Sequence, residues 1–181
     1  TVEDITNIVK AFKEKYGDSN SLVMSQNIVS ENGNNTYGMD ALFALYGAYP
    51  KHWVTDADGN LVYGSNTDEA KTALAEIRKL VEDGTIDASF TVRDSDQCAE
   101  LVTSGQAGIF FGAWWNMSWP LNNMVEEDPN IYWNAYLAPL TDDGTYNTAT
   151  LCPSSSFMVI KAGASEEVKE AAVKVMNYQF D

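Results

Sequence analysis

The chain is poor in cationic, sulfur and imidazole side chains, and each scarcity argues against a class of function. Its 181 residues carry 11 lysines and arginines against 26 aspartates and glutamates, a net charge of −15 at pH 7. A chain this acidic repels nucleic acid and anionic membranes, so we expect neither as a partner. No apolar run approaches the length of a membrane-spanning helix. The sequence opens on a helix cap without a signal peptide, and we expect the natural N-terminus to lie elsewhere.

The residues that most often do chemistry are few and carry no catalytic pattern. Cys98 and Cys152 lack metal-ligand spacing, and a disulfide or two packed free thiols both stay open. The single histidine, His52, has no nucleophile motif beside it, and a solvated loop histidine is the simpler interpretation. The glycines form neither a Walker loop nor a dinucleotide fingerprint, and no pair of carboxylates is singled out. We expect no enzyme, no cofactor and no metal site.

Hydrophobic residues make up 45% of the chain and aromatic residues 12%, which is typical of a globular protein with a core. Helical and strand-like patterns alternate along most of it. The predicted helices cover 1–16, 40–47, 66–83, 94–105, 117–127 and a segment from 165. A first predicted strand ends at residue 24, and further strands cover 53–55, 61–63, 107–111, 131–140 and 157–161. A return strand begins at 146–150. This order indicates an α/β fold with a mixed β-sheet flanked by helices and an added β-hairpin.

Helix caps sharpen several of these boundaries. Thr1 with Asp4, Asn66 with Glu69, and Asp94 with Gln97 each have capping-box spacing, and Ser165 caps the last helix. The last helix carries an apolar stripe that we expect to face inward. Its members are Val168, Ala171, Ala172, Val175 and Met176.

The hairpin is predicted from Trp53–Thr55, a turn at Asp56–Asn60, and Leu61–Tyr63. The same acidic turn resembles the start of a calcium loop, but a calcium loop needs glycine and glutamate where this chain has Leu61 and Thr67. The turn is therefore favoured. Trp53 is a candidate ligand contact, although packing within the hairpin is the favoured explanation.

The most informative stretch is GQAGIFFGAWWNMSWP at 105–120, where a short buried strand ends at Gly112 and tryptophans follow. One tryptophan in such a corner is usually core. Three of them, Trp114, Trp115 and Trp119, are hard to bury together because each indole N–H needs a partner. We expect at least one of Trp114 and Trp115 to face solvent or a ligand.

A polar loop covers residues 25–37. Its amides, Asn35 among them, have the chemistry to bind a polyol, and Tyr37 and Asp40 follow closely in the chain. A solvated surface loop is the simpler explanation of this composition.

Several segments together resemble a known family. SGQAGIFFGAWW, EDGTIDASF, IYWNAYLAPLTDDG and FMVI are similar, in content and order, to extracellular solute-binding proteins of family 1. These are the sugar-binding components of ABC importers, especially the lipoprotein-like members of Gram-positive bacteria. In that family a strand leads to a corner whose tryptophan stacks on a sugar ring. Trp114 occupies that position, with Gly112 two residues before it, and Trp115 and Asn116 beside it.

The resemblance implies one lobe of a periplasmic-binding-protein-like type II fold, with the other lobe outside this chain. Residues 1–152 would form the ligand-binding lobe, and 153–181 would supply a hinge-crossing strand and a terminal helix. It also implies a monomer that delivers a neutral carbohydrate to a membrane permease from the cell surface, lipid-anchored, or from the periplasm. A peptide or polyamine ligand, a carbohydrate-active enzyme and a tryptophan-rich interaction domain stay open as alternatives.

Overall fold

A computed structural model describes residues 1–17, 21–30, 36–141, 143–149 and 157–178. It has a mixed α/β architecture, with a small sheet and helices. The helices are α1 (Val2–Tyr16), α2 (Asp40–Leu45), α3 (Asp68–Glu82), α4 (Ser95–Thr103), α5 (Leu121–Glu127) and α6 (Glu166–Asn177), and the strands are β1 (Leu22–Val23), β2 (Trp53–Thr55), β3 (Leu61–Tyr63) and β4 (Ile109–Phe110). The chain divides into two compact units, Thr1–Leu151 and Cys152–Asp181.

The first unit is built on a short parallel sheet. Leu22 pairs with Ile109, and Val23 pairs with Phe110. A single parallel bridge joins Leu22 to Ile86 on the other side of β1. Parallel neighbours require crossover connections, and α3 and α4 fall between these extended segments along the chain.

Successive strand residues point to opposite faces of the sheet, and each face has its own apolar cluster. Leu22 joins a cluster that contains residues of α1, α2 and α3. Val23 joins a second cluster with residues of α4 and α5. Helices therefore cover both faces, as the alternating sequence pattern predicts for an α/β unit.

Three of the four predicted caps are observed. Thr1 and Asp4 form the capping box of α1, and Asp94 and Gln97 form that of α4. The Ser165 side chain accepts from the Val168 backbone N–H. The cap of α3 was wrongly predicted, because Thr67 Oγ1 accepts from the Ala70 N–H.

Asn66, the predicted cap of α3, instead ends a 3-10 turn at Gly64–Asn66. The Thr67 hydroxyl also donates to the Gly64 carbonyl, a hydrogen bond that the sequence pattern does not predict.

The hairpin prediction is confirmed. β2 and β3 pair antiparallel, and the Trp53 and Tyr63 rings lie 5.5 Å apart. At the turn, Asp56 Oδ1 accepts from the backbone N–H groups of Asp58 and Asn60. These bonds to the charged form lower the pKa of Asp56. Among the described residues, no group of three or more His, Cys, Asp or Glu is arranged to hold a metal.

The later strand predictions are wrong in the described structure. Residues 131–140 run outside any helix or strand, as do 146–149 and 157–161. The apolar, aromatic pattern at 131–140 suits a strand, but a ladder needs a neighbouring strand, and Pro139 has no N–H to contribute. The predicted mixed sheet is correspondingly reduced to a parallel pair and a separate hairpin.

The second unit, over the residues described, consists of an irregular segment at 157–165 and α6. The predicted inward stripe of α6 is wrong here, since Val168, Val175 and Met176 are 55%, 65% and 41% exposed. Within this unit no second helix or strand is described against which the stripe could pack. In the described parts of both units, no helix is long and apolar enough to cross a membrane.

We predict that Leu22→Ala lowers the free energy of unfolding of the first unit by about 2–5 kcal/mol, because Leu22 is fully buried beside both of its strand neighbours. Urea unfolding followed by tryptophan fluorescence measures this, since all five tryptophans lie in the first unit. Leu74→Ala, at a half-exposed position of α3, is the control and should cost under about 1 kcal/mol. Equal losses in the two variants would contradict the central place given to β1.

Candidate functional site at the carboxyl edge of the sheet

The carboxyl ends of β1 and β4 meet at one edge, where a third segment crosses them. The Ser25 N–H donates to the Tyr37 carbonyl over 2.9 Å, and the Tyr37 N–H donates to the Phe111 carbonyl over 2.8 Å. Tyr37 therefore lies between the continuations of the two strands. In open α/β sheets this edge is where ligands bind.

The tryptophan corner begins at the same edge. Trp114–Met117 forms a single 3-10 turn immediately after the strand and Gly112. The turn directs Trp114 outward, where it is 90% exposed. The prediction that at least one of Trp114 and Trp115 faces solvent is confirmed, although ligand contact itself stays a prediction.

The other two indoles of the corner lie together. The Trp115 and Trp119 rings are stacked with centroids 6.4 Å apart and planes at 28°. Trp115 is half-buried and Trp119 is 41% exposed. Met117, at 52% exposure, adds to the apolar surface. The corner therefore presents one free-standing indole beside a stacked pair.

Asn116 points the other way, into the protein, and is only 4% exposed. Its Oδ1 accepts from the Thr36 hydroxyl over 3.1 Å, and its Nδ2 donates to the Trp119 carbonyl over 3.1 Å. Its side chain is held by protein atoms on both sides. The predicted contact between Asn116 and a ligand remains untested.

Tyr37 is also enclosed. Its side chain has no exposed surface, and its ring lies 5.1 Å from that of Phe110. Its hydroxyl has no hydrogen-bond partner among the described residues. Burial raises the pKa of the Tyr37 phenol and raises that of the Cys98 thiol to about 11, so both groups are neutral at pH 7. Cys98 is a free thiol in the same cluster.

The remaining predicted residues are spread more widely. Trp53 is 65% exposed on the hairpin. Asp40 begins α2, and its Oδ1 accepts from the Ser30 N–H over 3.1 Å. Asn35 lies outside the described residues. The structure thus brings Trp114, Trp115, Asn116 and Tyr37 together at one edge.

Two positions at this edge escaped the sequence reasoning. Thr36 holds Asn116 across 80 residues of sequence, which no local pattern signals. Gly112 leaves the space that Asn116 occupies, because a Cβ there would clash with Asn116 Oδ1. The glycine itself was visible as the end of the strand, but the reason for it was not.

Two surface hollows in the described part of the first unit lie away from the tryptophans. One of about 410 Å³ is lined by residues of α4 and the segment before it, including Arg93 and Gln97. A second of about 360 Å³ lies near Lys13, Ser21 and Arg93. The Arg93 guanidinium already pairs with the Asp87 carboxylate over 2.5 Å. No residue of the tryptophan corner lines either of these two hollows.

Comparison with known proteins finds distant relatives. No family model matches the chain. It is 30% identical over 123 residues to Lipoprotein LipO of Bacillus subtilis and 26% identical over 112 residues to the polygalacturonan/rhamnogalacturonan-binding protein YtcQ of the same organism. It is also 26% identical over 107 residues to an uncharacterized protein of Niallia circulans, named for its place in the butB 5′ region.

These matches cover about 60% of this chain: 60%, 62% and 59% for LipO, YtcQ and the Niallia protein. They cover much less of the relatives, 22% of LipO, 22% of YtcQ and 41% of the Niallia protein. The matched part of the chain therefore spans less than half the length of each.

We predict that Tyr37→Phe preserves or raises the stability of the first unit. A buried hydroxyl without a partner costs about 1–3 kcal/mol, and the substitution removes it while keeping the ring on Phe110. Urea unfolding of the variant measures the change. The matched control is Tyr63→Phe on the hairpin, where the residue is 36% exposed and the change should stay within about 0.5 kcal/mol. A clear loss of stability in Tyr37→Phe would show that the hydroxyl has a partner.

Proposed function

We propose that this chain is a lobe of the substrate-binding component of an ABC importer, of the periplasmic-binding-protein-like type II fold. In this proposal it binds a neutral carbohydrate in a cleft between lobes, by aromatic stacking and hydrogen bonds, and delivers it to a membrane permease. The observation that carries the proposal is the Trp114 indole, 90% exposed at the carboxyl edge of a parallel sheet.

Exposure of Trp114 needs an explanation because a free-standing indole leaves a large apolar area in water. A sugar ring offers apolar C–H faces that an indole can cover, and hydroxyls that nearby polar groups can bind. Met117 and the Trp115–Trp119 stack enlarge the apolar surface next to Trp114. We expect this exposed corner to bind weakly alone, because closure of a second lobe over it is needed to exclude water from the contact.

The charge distribution favours an uncharged ligand. No lysine or arginine occurs between Arg93 and Lys161, a stretch that includes the whole tryptophan corner. Acidic saccharides are normally held by such cations. The name of YtcQ states that this relative binds polygalacturonan and rhamnogalacturonan, which supports a saccharide ligand. The polymers in that name carry uronate carboxylates, so the name supports a saccharide and the neutrality rests on the missing cations alone. We propose a neutral saccharide as the ligand of this chain.

The location and the absence of catalysis are part of the same proposal. The name of LipO supports a lipid-anchored protein at the cell surface. We propose a binding protein without turnover, because the sequence has no nucleophile motif beside its single histidine, His52. We also propose that it acts as a monomer, as the family resemblance implies. Binding energy at a stacking platform is enough for capture and release.

The proposal is tested by a thermal-shift screen of the complete protein with maltose, cellobiose, lactose and digalacturonate. Stabilisation by at least one neutral disaccharide, and not by digalacturonate, is expected. New reducing ends in the same mixtures would replace the proposal with a carbohydrate-active enzyme. Stabilisation by digalacturonate alone would overturn the neutral ligand, and stabilisation only by peptides, polyamines or a protein partner would overturn the saccharide.

We predict that Trp114→Ala abolishes the sugar-dependent fluorescence change and weakens affinity roughly 10- to 100-fold, the loss expected for one buried aromatic face. Trp114→Phe should retain part of the affinity because it keeps a flat ring. Titration of the complete protein with the disaccharide that gives the largest thermal shift measures both. Trp53→Ala, which removes a 65% exposed indole from the hairpin, shows whether this more distant predicted tryptophan also contributes. Unchanged affinity in Trp114→Ala would remove Trp114 from the site.

A further inference from the structure

We propose that Asn116 is a positioning residue: held by Thr36 and accommodated by Gly112, it fixes the turn that keeps Trp114 exposed. This inference rests on the proposed function for its consequence in ligand binding. Its structural part, the orientation of Trp114, can be tested without any ligand.

Both ends of the Asn116 amide are bonded to protein. A primary amide has one acceptor end and one donor end, and here each end has a different protein partner. Oδ1 accepts from Thr36 Oγ1, and Nδ2 donates to the Trp119 carbonyl, both over 3.1 Å. Because the donor bond closes the 116–119 loop on itself, the amide fixes the backbone between Trp115 and Trp119.

Gly112 lies directly against the Asn116 side chain. The backbone of Gly112 is not in the left-handed region, so alanine is conformationally allowed there. Space is the constraint, since an added Cβ would clash with Asn116 Oδ1 and come within 3.0 Å of the Phe110 ring. The Asn116 side chain therefore packs directly on the backbone of Gly112, two residues beyond the end of β4.

Thr36 is held in place by the backbone of its neighbour. The next residue, Tyr37, is bonded through its backbone to Ser25 and Phe111, and its side chain is fully buried. Thr36 is consequently carried by the sheet edge itself. The Thr36–Asn116 bond transmits this rigidity to the tryptophan corner, and Trp114 lies in the same 3-10 turn, two residues before Asn116.

The alternative is that Asn116 contacts the ligand directly. At 4% exposure, with both amide atoms bonded to protein, it would have to break two hydrogen bonds to do so. A ligand would have to replace both of those bonds to keep the amide satisfied. The Trp114 indole needs no such rearrangement.

The experiment uses fluorine NMR of the complete protein labelled with fluorotryptophan. The Trp114 resonance is assigned by its loss in Trp114→Phe. Thr36→Val removes the hydroxyl donor at nearly constant volume, and Thr36→Ser retains it. The matched control is Thr103→Val, which removes a hydroxyl that donates to the Ala99 carbonyl in α4, away from the corner.

Thr36→Val is expected to shift or split the Trp114 resonance and to weaken disaccharide affinity about 2- to 10-fold, the effect of one hydrogen bond. Thr36→Ser should restore both readouts toward wild type, and Thr103→Val should leave both unchanged. Should Thr36→Val fail to fold, Gly112→Ala takes its place and should move the same resonance.

An unmoved Trp114 resonance in the folded variant would overturn the inference, and so would equal effects of Thr36→Val and Thr36→Ser. If the resonance moves as expected while the wild-type protein binds no neutral disaccharide, the positioning role stands and the proposed function fails. If disaccharide binds and Thr36→Val changes neither readout, the proposed function stands and the positioning role fails.

Discussion

Two backbone hydrogen bonds made by Tyr37 hold the first unit together at the edge where the carboxyl ends of β1 and β4 meet. They link a segment far from both strands to the continuations of β1 and β4, through Ser25 and Phe111. A parallel pair only two residues long has few hydrogen bonds of its own. The crossing segment supplies the missing ones, and the fully buried Tyr37 ring packs beneath it, against Phe110. Without this cross-link, the two strands would have little to hold their carboxyl ends in register.

The same cross-link divides the tryptophan corner into parts with different physical roles. Asn116 is directed inward and bonded to Thr36, whereas Trp114 in the same turn is directed outward. One turn of 3-10 helix accomplishes this because its three residues per turn send neighbouring side chains in different directions. A rigid inner face and an exposed outer face are what a stacking platform requires, since an indole that must be ordered on binding loses affinity.

The sequence predicts local structure well wherever a short-range interaction decides it. The α1 and α4 capping boxes and the DG hairpin turn depend on side chains within four residues of the backbone that they bind. The alternation of helices and strands also predicts the α/β layering with helices flanking a sheet, although it predicts a mixed sheet where the structure has a parallel pair. Residues 131–140 show where this reasoning stops, because their strand-like pattern says nothing about whether a neighbouring strand is present.

Site residues are harder to predict, for a related reason. Trp114 and Asn116 are two positions apart and both look like binding residues in the sequence. Their difference in exposure arises from Thr36, which lies 80 residues from Asn116 along the chain. Tyr37 is predicted to end a polar surface loop and is instead part of the core. Long-range packing, and not residue type, decides which of these residues is exposed to a ligand and which one holds its neighbours in place.

The stretch at 131–140 has a consequence for how this chain behaves by itself. Among the described backbone bonds, none joins residues 132–140 to another strand, and Tyr132, Tyr136 and Leu137 are each at least 78% exposed. Backbone outside any strand pair, carrying exposed apolar side chains, can pair with the same segment of another molecule. Aggregation at high protein concentration, more than loss of fold, is therefore the hazard to guard against when the chain is produced alone.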